Sequence, residues 1–177
     1  MNRRILIPVF FLAAVLTSCR HPTFEWVDLR EVAYQAGDLP ADASLPEIVA
    51  VDGKKAWKYL QWIKVRLRGM DHETVFDADV ILFADRRELL RAFDDFTASE
   101  GRKGYEEYTP PEIGYGQIGW KQNGPGASYV INVSFQRCYA MVNIWARVDS
   151  ESVLSEDDVY AYAAALDQRL NLSVCPI

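Results

Sequence analysis

Two stretches of the chain alternate apolar and polar residues with the period of a half-buried strand. In Lys58 to Arg68, Tyr59, Ile63, Val65 and Leu67 fall on one face, and Trp62, Lys64, Arg66 and Arg68 fall on the other. After a loop from Gly69 to Glu73, Thr74 to Phe83 repeats the pattern. Phe76, Ala78, Val80 and Leu82 share one side, and Asp77, Asp79, Ile81 and Phe83 share the other. A hairpin has to bring both apolar faces to the same side of the sheet. That requirement predicts the pairs Leu67 with Phe76, Val65 with Ala78, and Ile63 with Val80. The same register sets Arg66 opposite Asp77 and Lys64 opposite Asp79, so the basic stripe reads as a charge-paired solvent face.

A second hairpin is predicted from Ser128 to Phe135 and Cys138 to Val148. Tyr129, Ile131, Val133 and Phe135 match Ala140, Val142, Ile144 and Ala146, and Gln136-Arg137 is the link. Asn132, Ser134, Tyr139, Met141, Asn143 and Trp145 are left on the outer side, as a ligand or partner face or as the floor of another layer. Two helices follow the hairpins. Asp85 caps the first, with Leu89, Leu90, Phe93 and Phe96 at helical spacing and Gly101 and Gly104 as its stop. Ser155 caps the second, with acids in its first turn. Its stripe is Val159, Ala163, Leu166 and Leu170, and Asn171 ends it.

The remaining segments are less regular. Phe24, Trp26 and Val27 supply a candidate edge strand. Residues 37–46 read as an irregular crossing. Residues 101–127 interleave glycines with Tyr105, Tyr108, Tyr115 and Trp120, with a short strand from Gly116 to Lys121. They contain no GxxxxGK[ST]. Gly114 to Gly119 has the GxGxxG spacing, but a strand is expected from Gly116 to Lys121 where that fingerprint opens a helix, so no phosphate loop is indicated. Rings beside glycines make either a binding surface or a loop pinned to the core. Strand, strand, acid-capped helix occurs in both halves. The architecture expected is α+β: an antiparallel sheet of about five to six strands with two helices packed on one face.

The N-terminus changes the picture. Arg3 and Arg4 precede an apolar run of twelve residues, Ile5 to Leu16. A membrane-spanning helix needs roughly 20 residues, and Pro8 interrupts the run. A basic start, a short apolar core and small residues before a cut site make a secretory signal. Leu16-Thr17-Ser18-Cys19 resembles the lipobox of bacterial lipoproteins. That resemblance implies a diacylglycerol on the Cys19 thiol and cleavage just before it. Residues 1–18 are then a signal peptide, 19–23 a lipidated tether and 24–177 a single α+β domain. Arg20 stands where an aspartate favours inner-membrane retention in enterobacterial lipoproteins, so the resemblance implies an outer-membrane address in a diderm cell. Two or more acyl chains anchor a protein stably without a transmembrane helix.

Charge narrows the partners. The chain carries a formal charge of −6, and without Arg3 and Arg4 it is −8. Phosphate binding rests on lysine and arginine, so no nucleic-acid partner is expected. With Cys19 acylated, Cys138 and Cys175 remain, as a disulfide or as two buried thiols. A final helix packed back along the preceding strand would carry Cys175 toward Cys138. No Cys/His cluster suggests a metal, and no cofactor motif is present.

The function expected is a membrane-anchored envelope lipoprotein with a non-catalytic binding or interaction domain. Its ligand face would draw on Tyr105, Tyr108, Tyr115, Trp120, Asn132, Tyr139, Asn143 and Trp145, and its partner would be an envelope protein or a glycan. The alternatives are an envelope hydrolase and a purely structural assembly lipoprotein. For a hydrolase the candidates are His72, flanked by Asp71 and Glu73, or a carboxylate pair among Glu106, Glu107 and Glu112.

Overall fold

The computed structural model describes residues 27–40, 43, 45–52, 57–69, 72–101, 103, 105–124, 128–149 and 154–175. In chain order the elements are α1 (Leu29–Ala33), β1 (Glu47–Ala50), β2 (Tyr59–Arg68), β3 (Thr74–Phe83), α2 (Arg86–Gly101), β4 (Glu106–Tyr108), β5 (Tyr115–Asn123), β6 (Tyr129–Arg137), β7 (Ala140–Val148) and α3 (Glu156–Val174). The strands form one seven-stranded sheet in the order β1-β2-β3-β7-β6-β5-β4. All its pairings are antiparallel.

The first hairpin has the register that its two patterns demand. Leu67 pairs with Phe76, Val65 with Ala78 and Ile63 with Val80, while Arg66 faces Asp77 and Lys64 faces Asp79. Burial and charge agree on that register, and a slip by one residue would expose the whole core face. Tyr59 is the exception. A bulge between Tyr59 and Gln61 shifts the alternation, so Tyr59 packs with Trp62 and not with Ile63. In the second hairpin Phe135 meets Val142, Val133 meets Ile144 and Ile131 meets Ala146. Its turn lies two residues later than expected. Arg137 pairs with Ala140, and Cys138, with φ of 52°, turns the chain.

The expected arrangement of two helices on one face is corrected. Three helices cover both faces of the sheet. α1 and α3 pack on the face of Val65, Phe76, Val80, Val142, Ile144 and Phe135. α2 packs on the other, where Leu89, Ala92 and Phe93 meet Ile81, Phe83 and Met141. The ββα echo accounts for the error. A two-fold axis normal to the sheet would relate the hairpins and leave both helices on one face. The strands obey that symmetry and the helices do not. Leu90 faces outward at 42% exposure, so the α2 stripe is narrower than the sequence suggested.

The two edge strands, β1 and β4, were not foreseen. They are four and three residues long, too short to show a period. Of the edge strand expected from Phe24, Trp26 and Val27, the described part, Val27, is not in a strand. Phe24 and Trp26 lie outside the described residues, and Leu29 begins α1, which the Asp28 side chain caps by accepting from Arg30 N. α1 is held by side chains. Gln61 accepts from Leu29 N at 3.2 Å and donates to the Val27 carbonyl at 2.9 Å. Arg169 of α3 donates to the Val32 carbonyl and grips Asp38 through both carboxylate oxygens at 2.8 Å. The Tyr162 hydroxyl donates to the Ala33 carbonyl at 2.7 Å.

α3 begins with a reciprocal capping box between Ser155 and Asp158. It runs through Asn171 to Val174, because the stripe of Val159, Tyr162, Ala163, Leu166 and Leu170 continues into a buried Val174. That extra turn delivers Cys175 to Cys138. The two form a disulfide with their Cα atoms 5.2 Å apart.

Candidate functional site

The eight predicted face residues do not converge; the structure divides them among three places, with Tyr105 half-buried on the approach to β4. Tyr108 belongs to a network between β4, β5, β6 and the start of α3. Lys121 reaches Glu156 at 2.8 Å and lies 4.8 and 5.5 Å from the ring centres of Tyr108 and Tyr129. The Tyr129 hydroxyl donates to Glu156 at 2.9 Å. The Tyr160 hydroxyl contacts Glu156 at 2.6 Å and the Tyr108 hydroxyl at 2.9 Å. Burial works to raise the Glu156 pKa. The bonds from Lys121, Tyr160 and Tyr129 outweigh it and hold the carboxyl below its ordinary value. Burial and the Glu156 carboxylate push Tyr129 up to about 12. Each polar group named here has its partner, so the network acts as a staple between sheet edge and helix.

Trp120, Asn132 and Asn143 lie on the face that α2 covers. Trp120 is 2% exposed, with its ring edge-on to Phe96 at 6.5 Å. Asn132 donates to Glu100 at 3.3 Å, and Ser134 donates to Asn143 at 2.9 Å. Glu100, buried at the end of α2, is also paired with Lys103. The Asn132 Oδ1 atom is buried without a partner. Beside this seam, Asp79 accepts from Trp62 Nε1 at 2.7 Å and lies 3.4 Å from Lys64. Burial raises the Asp79 pKa, opposed by Lys64 and Trp62. Trp145, half-buried, stands in the same cross-strand row as Asp77 and Asn132. What the alternation presented as an outer face is therefore largely a helix–sheet seam. On the same side of the sheet, Lys64 and Arg66 of β2 are paired with Asp77 of β3.

Tyr115 and Tyr139 come together. They line a cleft of about 270 Å³ with Arg86, Gln136 and Cys138, at the end of the sheet where β6 turns into β7. Tyr115 is 58% exposed. It stands between Gly114 and Gly116, whose φ values of 63° and 59° lie in the left-handed region. A Cβ on Gly114 would meet the Gln136 carbonyl and the Phe135 ring, both at 2.6 Å. Ile113 anchors the loop in the core, and its backbone N–H donates to the Gln117 side chain at 2.7 Å.

The guanidinium of Arg137 lies 4.6 Å from the Tyr115 ring centre, and Asp167 of α3 holds that guanidinium through both its Nε and Nη2 groups. The hydrogen bond to Asp167 raises the Arg137 pKa. The ring is thus backed by a fixed planar cation. Across the cleft Arg86 stands at the start of α2 and makes no ion pair among the described residues. The disulfide at Cys138 fixes the third wall. A rigid exposed ring, an amide and a guanidinium with no ion pair among the described residues suit a small ring-bearing ligand of neutral or negative charge.

The positive-φ glycines of Gly114-Tyr115-Gly116 were the available sequence signal, a tyrosine bracketed by glycines. Arg86 was invisible, because only tertiary packing brings the start of α2 to this turn.

Two hydrolase candidates are placed differently. Glu106 and Glu107 are adjacent on β4, facing Lys121 and Trp120 in turn, and successive strand residues project to opposite faces. They do not pair. His72 is exposed in the first hairpin loop with φ of 63°.

No described helix is long and apolar enough to cross a membrane. No family model, curated protein or solved structure matches the chain.

Proposed function

We propose that the protein is a lipid-anchored envelope protein whose domain binds a glycan through the Tyr115 cleft. Cys19 carries the anchor, and the signal peptide and lipobox resemblance of residues 1–19 supports that part. The observation that carries the binding part is the Tyr115 platform. Two left-handed glycines and an Arg137–Asp167 pair between β6 and α3 hold an aromatic ring out in solvent. The guanidinium backs one face of the ring, and the ring is still 58% exposed. Sugar rings stack on such faces through their C–H groups, and a preorganised aromatic loses little entropy on binding. The cleft volume of about 270 Å³ suits about one ring at the stacking position.

Co-sedimentation of the full chain with purified peptidoglycan sacculi tests the reading. Wild type should pellet with the sacculi and Tyr115→Ala should remain in solution. Equal pelleting of both proteins would contradict the site, and pelleting of neither would contradict this ligand.

A further inference from the structure

The two edges of the sheet are built differently. β4 carries Glu106 and Glu107, both exposed, within three residues. Charges at that density guard an edge against pairing. β1 reads Glu47-Ile48-Val49-Ala50 and all four residues are exposed. Ile48 and Val49 are each 37% exposed, and neighbouring Leu45 and Leu60 are 91% and 49% exposed. It contains no lysine, no bulge and no internal proline.

The outward-facing groups of β1 can be assigned. Val51 N donates to the Trp62 carbonyl at 2.9 Å, and the register pairs Ala50 with Ile63 and Val49 with Lys64. Hydrogen-bonded and non-hydrogen-bonded pairs alternate along an antiparallel ladder. Glu47, Val49 and Val51 therefore direct their N–H and C=O groups to β2, and Ile48 and Ala50 direct theirs outward. Pro46 occupies the next outward position and has no N–H to offer, so it bounds the open strip.

We propose that β1 pairs with β1 of a second copy of the chain, antiparallel, about a two-fold axis through Val49. The outward groups set this register. Ile48 faces Ala50 of the second copy and exchanges both hydrogen bonds with it. Val49 faces its own copy at a non-hydrogen-bonded site, where side chains lie closest. Charge allows a second copy as the occupant. In this register Glu47 faces Val51 of the second copy and Asp52 faces Pro46, so no carboxylate meets another although the chain carries a charge of −6. Pairing β4 with its own copy would bring four glutamates together. Val49 shares a sheet face with Lys64, and Ile48 shares the other with Val65, so apolar contacts form on both sides of the joint.

Cysteine cross-linking of the full chain tests the register directly. In oxidised samples Val49→Cys should give about tenfold more disulfide-linked dimer than Leu172→Cys, because a separation of ~4.5 Å at the axis lies within the disulfide range. Leu172 is 76% exposed on α3 and reports random collision. Glu47→Cys should behave like Leu172→Cys, since its two copies would lie roughly 14 Å apart. Cys19 is common to all variants and cancels. Dimer from Val49→Cys no greater than from Leu172→Cys would overturn the proposal, as would equal cross-linking at Glu47→Cys. Sedimentation gives an independent check. Wild type should be dimeric and Val49→Lys monomeric, and a monomeric wild type would overturn the pairing.

Discussion

At the scale of single residues, Gly114 and Tyr115 are coupled in opposite senses. Gly114→Ala forces a Cβ into backbone and ring atoms at 2.6 Å in a left-handed conformation. It should destabilise the fold by about 2–3 kcal/mol in urea denaturation. Tyr115→Ala removes an exposed ring and should leave stability within about 0.5 kcal/mol of wild type by the same measurement. Stability spent around a residue that itself contributes little is the pattern of a presented side chain. Glu156 gives a pH-dependent expectation. Its folded pKa is lowered, so its contribution is present above the ordinary glutamate value and is lost as pH falls through the folded one. Glu156→Gln should cost about 1–2 kcal/mol at pH 7. That difference from wild type should shrink as pH drops below 4.5, the ordinary value. A constant difference across the acid range would rule out the charged network.

The elements differ in how far they could be read from sequence. The β2–β3 register was legible because two independent patterns, core alternation and opposite charges, specify the same pairs. The stripe of α3 was legible for the same reason, with cap and period in agreement. The side of the sheet taken by α2 was not. An amphipathic stripe says that a helix packs on a sheet, and Ile81, Phe83 and Met141 gave the second face its own apolar patch.

Two ties join distant elements and carry predictions. Asp38 and Arg169 bind α1 and its following turn to α3 with side chains 8% and 15% exposed. Asp38→Ala leaves a buried guanidinium without its partner and should cost about 3–5 kcal/mol by urea denaturation. The Cys138–Cys175 disulfide closes a sequence separation of 37. Its reduction should lower stability by about 3–4 kcal/mol. It should also loosen the turn that walls the Tyr115 cleft, weakening binding there.

Over the whole molecule, one antiparallel sheet is shielded on its two faces by unlike layers. α1 and α3 seal an apolar core, while α2 lies over a mixed seam that includes Asn132, Ser134 and Asn143. This layering explains why the site was only partly legible. Alternation assigned Asn132, Asn143 and Trp145 to an outer face, but it carries no information on what covers a face. Trp120, a ring among glycines like Tyr115, turned out to be core. The accessible cleft needed contributions from β5, the β6–β7 turn and the start of α2, which no local pattern links. The proposed anchor adds an expectation at this scale. Cys19→Ser should abolish metabolic lipid labelling and release the chain from membranes, and continued labelling would contradict the lipobox reading.

The role proposed for Tyr115 is to present a ring for ligand stacking. The most direct measurement is a calorimetric titration of the full chain with soluble peptidoglycan fragments, in wild type and in Tyr115→Ala. Binding should be saturable and should weaken at least about tenfold, about 1.4 kcal/mol, in the variant at unchanged stability. Binding of equal strength in both proteins would contradict that role.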